Sequence, residues 1–183
     1  MEKSKIWLSS PHMGGTEMKF ITEAFENNWV APLGPNVTGF ENDIQEYLSI
    51  GSDDDNKKLY VAALSSGTAA LHLALIMAGV ERGDEVLCQS MTFAASANPI
   101  VYLGATPVFI DSEEDTYNLD PHYLEEAIKN RISKGKKPKA IIAVHLYGMP
   151  YKVEEIKTLS LKYEIPVIED IAEALGSTYN GRK

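Results

Sequence analysis

Three carboxylates crowd one short stretch, VIEDIAEALGS at residues 167–177. Glu169 and Asp170 close an apolar run that reads as a buried strand, and Glu173 follows in a small-residue helical turn. An unpaired charge in such a place is costly, so the acids need partners. A protonated pyridine nitrogen would supply one. The acid then stays ionised, the nitrogen stays protonated, and the ring becomes an electron sink for a carbanion at the attached carbon. Asp170 is the better placed of the adjacent pair, because strand pleating turns Glu169 to the opposite side. Glu173, three residues on, is roughly one helical turn away and can return to the same site. The plain alternative is that Asp170 caps the next helix and Glu173 is solvated. This element alone leaves both open.

Two further stretches carry chemistry. SSGTAALHLAL (65–75) reads as a small-residue turn opening a helix. Gly67 lets the backbone approach a ligand, and the first amides, near Thr68 and Ala69, are donors at the positive helix end, a phosphate site. The stretch lacks the glycines or lysine of a dinucleotide fingerprint or Walker loop, and Ser or Thr there also serves as a plain cap. His72 reads as a packed histidine. In MTFAASANP (91–99), Phe93 directly follows a strand. It is either core or the stacking surface for a flat heteroaromatic ring.

The elements that must position these residues alternate. YVAAL, GDEVLCQS, TPVFIDS, KAIIAVHLYG and IPVIED read as strands. Between them TAALHLALIMAG, AASANPIVYLG, PHYLEEAIKNR and VEEIKTLSLKYE read as helices, with Asp120 and Pro121 as N-cap and first helical residue. Strands that are apolar throughout and alternate with helices point to a three-layer α-β-α fold around a mostly parallel sheet. Ligands of such sheets bind beyond the carboxyl ends of the strands. Residues 65–68, 90–93, 145–148 and 169–173 should therefore share one edge. Upstream, 14–27 has helical apolar spacing at Met18, Ile21 and Phe25, 27–39 is a breaker-rich loop, and helix resumes at FENDIQEYLS. This divides the chain into a helical and loop segment over 1–59 and an α/β domain over 60–183.

The 183 residues suffice for one substantial core. A net charge of −9 argues against a nucleic-acid partner. The basic KNRISKGKKPK (129–139) and the acidic DDDNKK (53–58) read as solvated loops. The lone Cys88 fits a reducing compartment. No signal-peptide or membrane-spanning apolar run is visible, so a cytoplasmic location is expected. No metal is expected.

WVAPLGPNVTGFE (29–41), LSSGTAALHLAL (64–75), MTFAASANPIVYLGATPVFIDS (91–112), TYNLDP (116–121), AVHLYG (143–148) and VIEDIAEALGS (167–177) together resemble the large domain of fold-type-I pyridoxal-phosphate enzymes. More narrowly they resemble the DegT/DnrJ/EryC1/StrS family of nucleotide-sugar aminotransferases, in that family's order. IWLSSPHMGG with NNWVAPLGPNV is most similar to members that aminate C4 of nucleotide-linked 4-keto-6-deoxy sugars, as in bacillosamine or perosamine formation. The resemblance implies pyridoxal 5′-phosphate as cofactor, glutamate as amino donor, a homodimer, and a place in surface polysaccharide or amino-sugar synthesis. It implies that the Ser66, Gly67 and Thr68 turn holds the phosphate, that Phe93 covers the ring, and that Asp170 pairs with its nitrogen. Glu173 would lie on the ring-hydroxyl side, His145 would either stand behind and orient Asp170 or pack as a core histidine, and the loop from Trp29 to Pro35 would line the sugar-nucleotide entrance, of this chain or of its dimer partner.

One departure stands out. The family attaches its cofactor to a lysine in a serine-rich, glycine-flanked segment well past the ED-x-A-E motif. Lys183, in NGRK, lacks that setting. The expectation is therefore a piece of a longer enzyme, without the small C-terminal domain and inactive alone. A sugar dehydratase, in which histidine replaces the lysine, and a non-catalytic ligand-binding regulatory domain are the alternatives.

Overall fold

The computed structural model describes residues 5–7, 10–49 and 59–183. The acidic loop expected at 53–58 and residues 1–4, 8 and 9 of the opening lie outside the described residues. The described residues below position 64 belong to one compact unit, and Leu64–Lys183 to another.

The first unit contains α1 (Glu17–Glu26) and α2 (Pro35–Ser49). The apolar stripe of α1, Met18, Ile21 and Phe25, is exposed. Helix α2 begins five residues earlier than the sequence suggested. Pro35, read as a breaker, is the first helical residue, where its missing N–H costs nothing and its fixed φ fits. YVAAL (60–64), expected as a strand, pairs with no strand among the described residues. A strand exists only through its ladder. Here the Ala63 amide donates instead to the Glu41 carboxylate at 2.8 Å.

The second unit runs α3 (Gly67–Met77), β1 (Glu85–Gln89), a 3-10 turn (Ala94–Ser96), α4 (Asn98–Tyr102), β2 (Thr106–Ile110), α5 (Pro121–Ser133), β3 (Ala140–Val144), a second 3-10 turn (Leu146–Gly148), α6 (Val153–Tyr163) and β4 (Val167–Asp170). Asp120 caps α5 as expected, accepting from the amides of His122 and Tyr123. The strands form one parallel sheet in the order β2-β1-β3-β4.

Pleating divides the apolar residues between two cores. Leu87, Ile141 and Ala143 pack with Leu124 and Ile128 of α5 and Ile156 of α6. Val86, Cys88, Ala140, Ile142 and Val144 pack with Leu75 of α3 and Ile100 of α4 on the other face. The α-β-α sandwich expected from the sequence is thus the one found. Right-handed crossovers explain the division: β1 to β2 runs one way across the sheet, while β2 to β3 and β3 to β4 run back. The chain therefore leaves β1 and β3 toward opposite faces, and a crevice opens between their carboxyl ends. Helix α3 stops at Met77, shortly before β1 begins, so its N-terminus lies at this same carboxyl edge. No helix among the described residues is long and apolar enough to cross a membrane.

At the opposite edge, buried Glu85 accepts from Arg131 Nε at 2.6 Å and from Arg131 Nη2, with Lys136 Nζ at 3.6 Å. The guanidinium holds the Glu85 carboxyl below its ordinary range. Arg131→Ala should lower the unfolding free energy, because it leaves buried Glu85 only the longer contact with Lys136. Equilibrium urea denaturation measures this, and a loss below about 0.5 kcal/mol would class the pair with solvent-screened ones.

Candidate functional site

Strand β4 delivers its two acids to opposite faces. Glu169 turns toward the α5/α6 side, where its carboxylate meets His145 Nε2 at 3.2 Å. The His145 ring packs on Tyr151, centroids 4.6 Å apart. This hydrogen bond holds the Glu169 carboxyl below its usual range. Asp170 turns toward the α3/α4 side and is only partly buried. Its Oδ2 accepts from Ser96 Oγ at 2.7 Å, and its Oδ1 from the Ala172 amide at 3.3 Å. No lysine or arginine among the described residues pairs with it. Beneath it on the same face lies Cys88, whose thiol is pushed up to about 12 by burial and by the Asp170 charge.

The orienting role expected of His145 therefore needs correcting. Its side chain serves Glu169, because the residue after Val144 falls on the α5/α6 face. Only its backbone reaches Asp170, the amide donating to the Asp170 carbonyl at 3.1 Å. The hydroxyl on the carboxylate belongs to Ser96, fully buried in the turn that follows Phe93. Phe93 itself is 81% exposed, which excludes the core reading.

At the start of α3, Ser66 is the N-cap and accepts from the Ala69 amide at 3.2 Å. Ala69, expected as a free donor, is thus taken by the cap. The amides of Gly67 and Thr68 meet no acceptor among the described residues. A Cβ added at Gly67 would meet nothing within 4 Å, so packing within the chain does not require glycine there. Open space against two free amides at a helix N-terminus suits an anion.

Residues after Asp170 form successive turns rather than the expected helical turn, with Ala174 N on Ile171 O and Ser177 N on Ala174 O. Glu173 is held by the neighbouring loop. Its Oε2 accepts from the Tyr147 amide at 2.7 Å, and Ser177 Oγ donates to the Gly148 carbonyl at 2.6 Å. Tyr147 has φ +53°, a strained conformation for a tyrosine. Gly148 has φ +82°, and a Cβ there would come within 3.0 Å of the Glu173 carbonyl.

Buried amides that sequence reasoning missed support this loop. Where β1 and β3 part, Gln89 Oε1 takes the Val144 amide at 3.2 Å and Nε2 donates to the Met91 carbonyl. Asn118 accepts from the Leu146 amide at 2.9 Å and donates to the Met149 carbonyl at 2.8 Å. Thr116 bonds Asn118 in turn and donates to buried Glu113, which also takes the amides of Asp115 and Thr116 and the Lys152 ammonium. The sequence signal was present in TYNLDP, as polar side chains flanking a strand end, but it named no partner.

Trp29 and Pro35 line a concavity in the first unit with Glu23, Asn27 and Leu33. Gly34 lies against the indole, where a Cβ would approach Trp29 Cε3 to 3.1 Å.

A model of the DegT/DnrJ/EryC1/StrS aminotransferase family matches residues 11–183. The chain is 51% identical over 179 residues to the Bacillus subtilis protein EpsN, assigned by name to the pyridoxal phosphate-dependent aminotransferases, covering 98% of this chain and 44% of EpsN. It is 39% identical to GDP-perosamine synthase of Escherichia coli O157:H7, over 94% of this chain and 43% of that protein. Among solved structures, Spr1654 of Streptococcus pneumoniae, titled a sugar aminotransferase in its PMP form, superposes with a TM-score of 0.83 at 30% identity. That match covers 98% of this chain and 45% of Spr1654. The chain thus spans less than half the length of these relatives.

Burial raises the Glu113 carboxyl, but the Thr116 hydroxyl, two amides and Lys152 outweigh it and bring it to about 2 from 4.5. A depressed carboxyl stabilises the fold above its unfolded value and loses that contribution as pH falls through the folded one. Acid unfolding of the chain should therefore steepen between pH 4.5 and about 2. Glu113→Gln should flatten this limb; an unchanged slope in a circular-dichroism pH titration would contradict the assignment.

Proposed function

Because the chain belongs to the DegT/DnrJ/EryC1/StrS aminotransferase family, we propose that it is the cofactor-binding part of a longer enzyme that aminates nucleotide-linked keto sugars. Pyridoxal 5′-phosphate is the cofactor in this reading and glutamate the amino donor. One observation carries it: a partly buried carboxylate with no cationic partner among the described residues stands at the crevice, on the face shared with exposed Phe93 and the free amides of α3. The family and the names of its relatives, GDP-perosamine synthase among them, support a sugar substrate.

These residues suit the cofactor. The amides of Gly67 and Thr68 and the Thr68 hydroxyl bind the phosphate, with Ser66 holding the helix end in shape. When bound, pyridoxal phosphate supplies a ring that withdraws negative charge from the carbon carrying the amino nitrogen. Asp170 would accept from the ring nitrogen and hold a proton there. Phe93 covers one ring face and excludes water. Glu173, clamped by the Tyr147 amide, serves the ring-hydroxyl side. His145 fixes the end of β4 through Glu169 and its own amide. The loop from Trp29 to Pro35 contributes to the sugar-nucleotide entrance. The whole enzyme works as a homodimer, as the family resemblance implies, and the cytoplasm is the location proposed for it. Turnover in this reading belongs to the full-length enzyme, since the chain spans less than half the length of its relatives.

The full-length protein, supplied with glutamate and a nucleotide keto sugar, should yield an amino sugar by mass spectrometry. A product lacking nitrogen would mark dehydration instead, and no turnover with retained cofactor binding would mark a regulatory domain. Asp170→Asn should keep the cofactor weakly and lose turnover by about two orders of magnitude, the scale of one preorganised electrostatic group. Normal turnover in this variant would remove Asp170 from the mechanism.

A further inference from the structure

Ser96 is fully buried, yet its hydroxyl is directed at a carboxylate that is only partly buried and that water could solvate. Satisfying Asp170 did not require it. The hydroxyl therefore contributes orientation. Proton counting fixes its direction. An ionised carboxylate only accepts, so the single Ser96 proton points to Asp170 Oδ2 at 2.7 Å. Thr92 Oγ1, 2.7 Å from Ser96 Oγ, must then donate to Ser96. The result is a one-way relay, Thr92 to Ser96 to Asp170. The same turn holds Phe93, because the Ser96 amide donates to the Phe93 carbonyl at 3.0 Å. The aromatic and the carboxylate are thereby set by one residue, from segments 74 positions apart.

We infer that Ser96, fed by Thr92, is a positioning residue that fixes the Asp170 carboxylate in one orientation toward the cofactor ring and ties it to the Phe93 turn. This rests on the cofactor reading above. Thr92 and Ser96 flank the aromatic that sequence reasoning singled out, and neither was given a role.

The test is the affinity of the full-length protein for pyridoxamine 5′-phosphate, measured by calorimetric titration. Ser96→Cys keeps the size but donates poorly, and should weaken binding about tenfold, the weight of one charge-assisted hydrogen bond. Thr92→Val should weaken it about threefold, as a neutral bond one step removed. Ser96→Thr, which keeps the hydroxyl, should restore affinity to within about twofold. In an Asp170→Asn background, Ser96→Cys should have no further effect, because its action passes through the carboxylate. Equal losses in both backgrounds would show a merely structural serine and overturn the inference. So would an unchanged affinity in Ser96→Cys and Thr92→Val while Asp170→Asn weakens binding. If Asp170→Asn alone leaves affinity intact, the cofactor reading fails, and this inference with it.

Discussion

A charge at the mouth of a parallel sheet is hard to keep. The strands beneath it are apolar on both faces, and the interior offers little to solvate an ion. Here Asp170 keeps partial access to water and is oriented by one buried hydroxyl and one long amide contact, with no basic side chain opposite it among the described residues. The arrangement holds an anion in place and leaves a cation to come from outside. Much of the surrounding structure follows from the need to aim that carboxylate.

The pleat does the first part of the work. One residue of offset separates Glu169, whose carboxylate is hydrogen-bonded to His145 on one face, from Asp170 on the other. The reversal of strand order between β1 and β3 does the second, by parting the segments that follow them. Gln89 and Asn118 then supply in side-chain amides the hydrogen bonds that diverging backbones no longer make. Such buried polar networks specify one geometry when every member is satisfied. The price is strain, stored at Tyr147, whose left-handed backbone presents its amide to Glu173.

The sequence displayed the sheet clearly. The wholly apolar run at 140–144 is buried on both faces and the apolar centre of 85–89 likewise, whereas 106–110, at the sheet edge, leaves Thr106 and Phe109 exposed; Asp120 with Pro121 marks a helix start by local chemistry alone. Misreadings arose where a local signal has two physical outcomes. Pro35 is a breaker inside a helix and a favoured residue at its first position. YVAAL has the composition of a strand but no partner among the described residues. Near the crevice, pleating turned Asp170 and Glu169 to opposite faces as the alternation required, and Phe93 is exposed rather than core. Ser96 escaped notice because its importance lies in a contact that only the folded topology creates, and for want of that topology the sequence left His145 between orienting Asp170 and packing in the core, where its buried ring lies against Glu169.

The central claim is that Asp170 exists to hold a proton on a pyridine nitrogen. The most direct measurement is the nitrogen-15 NMR spectrum of ring-labelled pyridoxal 5′-phosphate bound to the full-length protein. The account predicts a protonated ring nitrogen that persists well above the pH at which the free cofactor loses that proton, and that disappears in Asp170→Ala. A bound ring whose nitrogen titrates as in free solution, or stays protonated without the carboxylate, would contradict it.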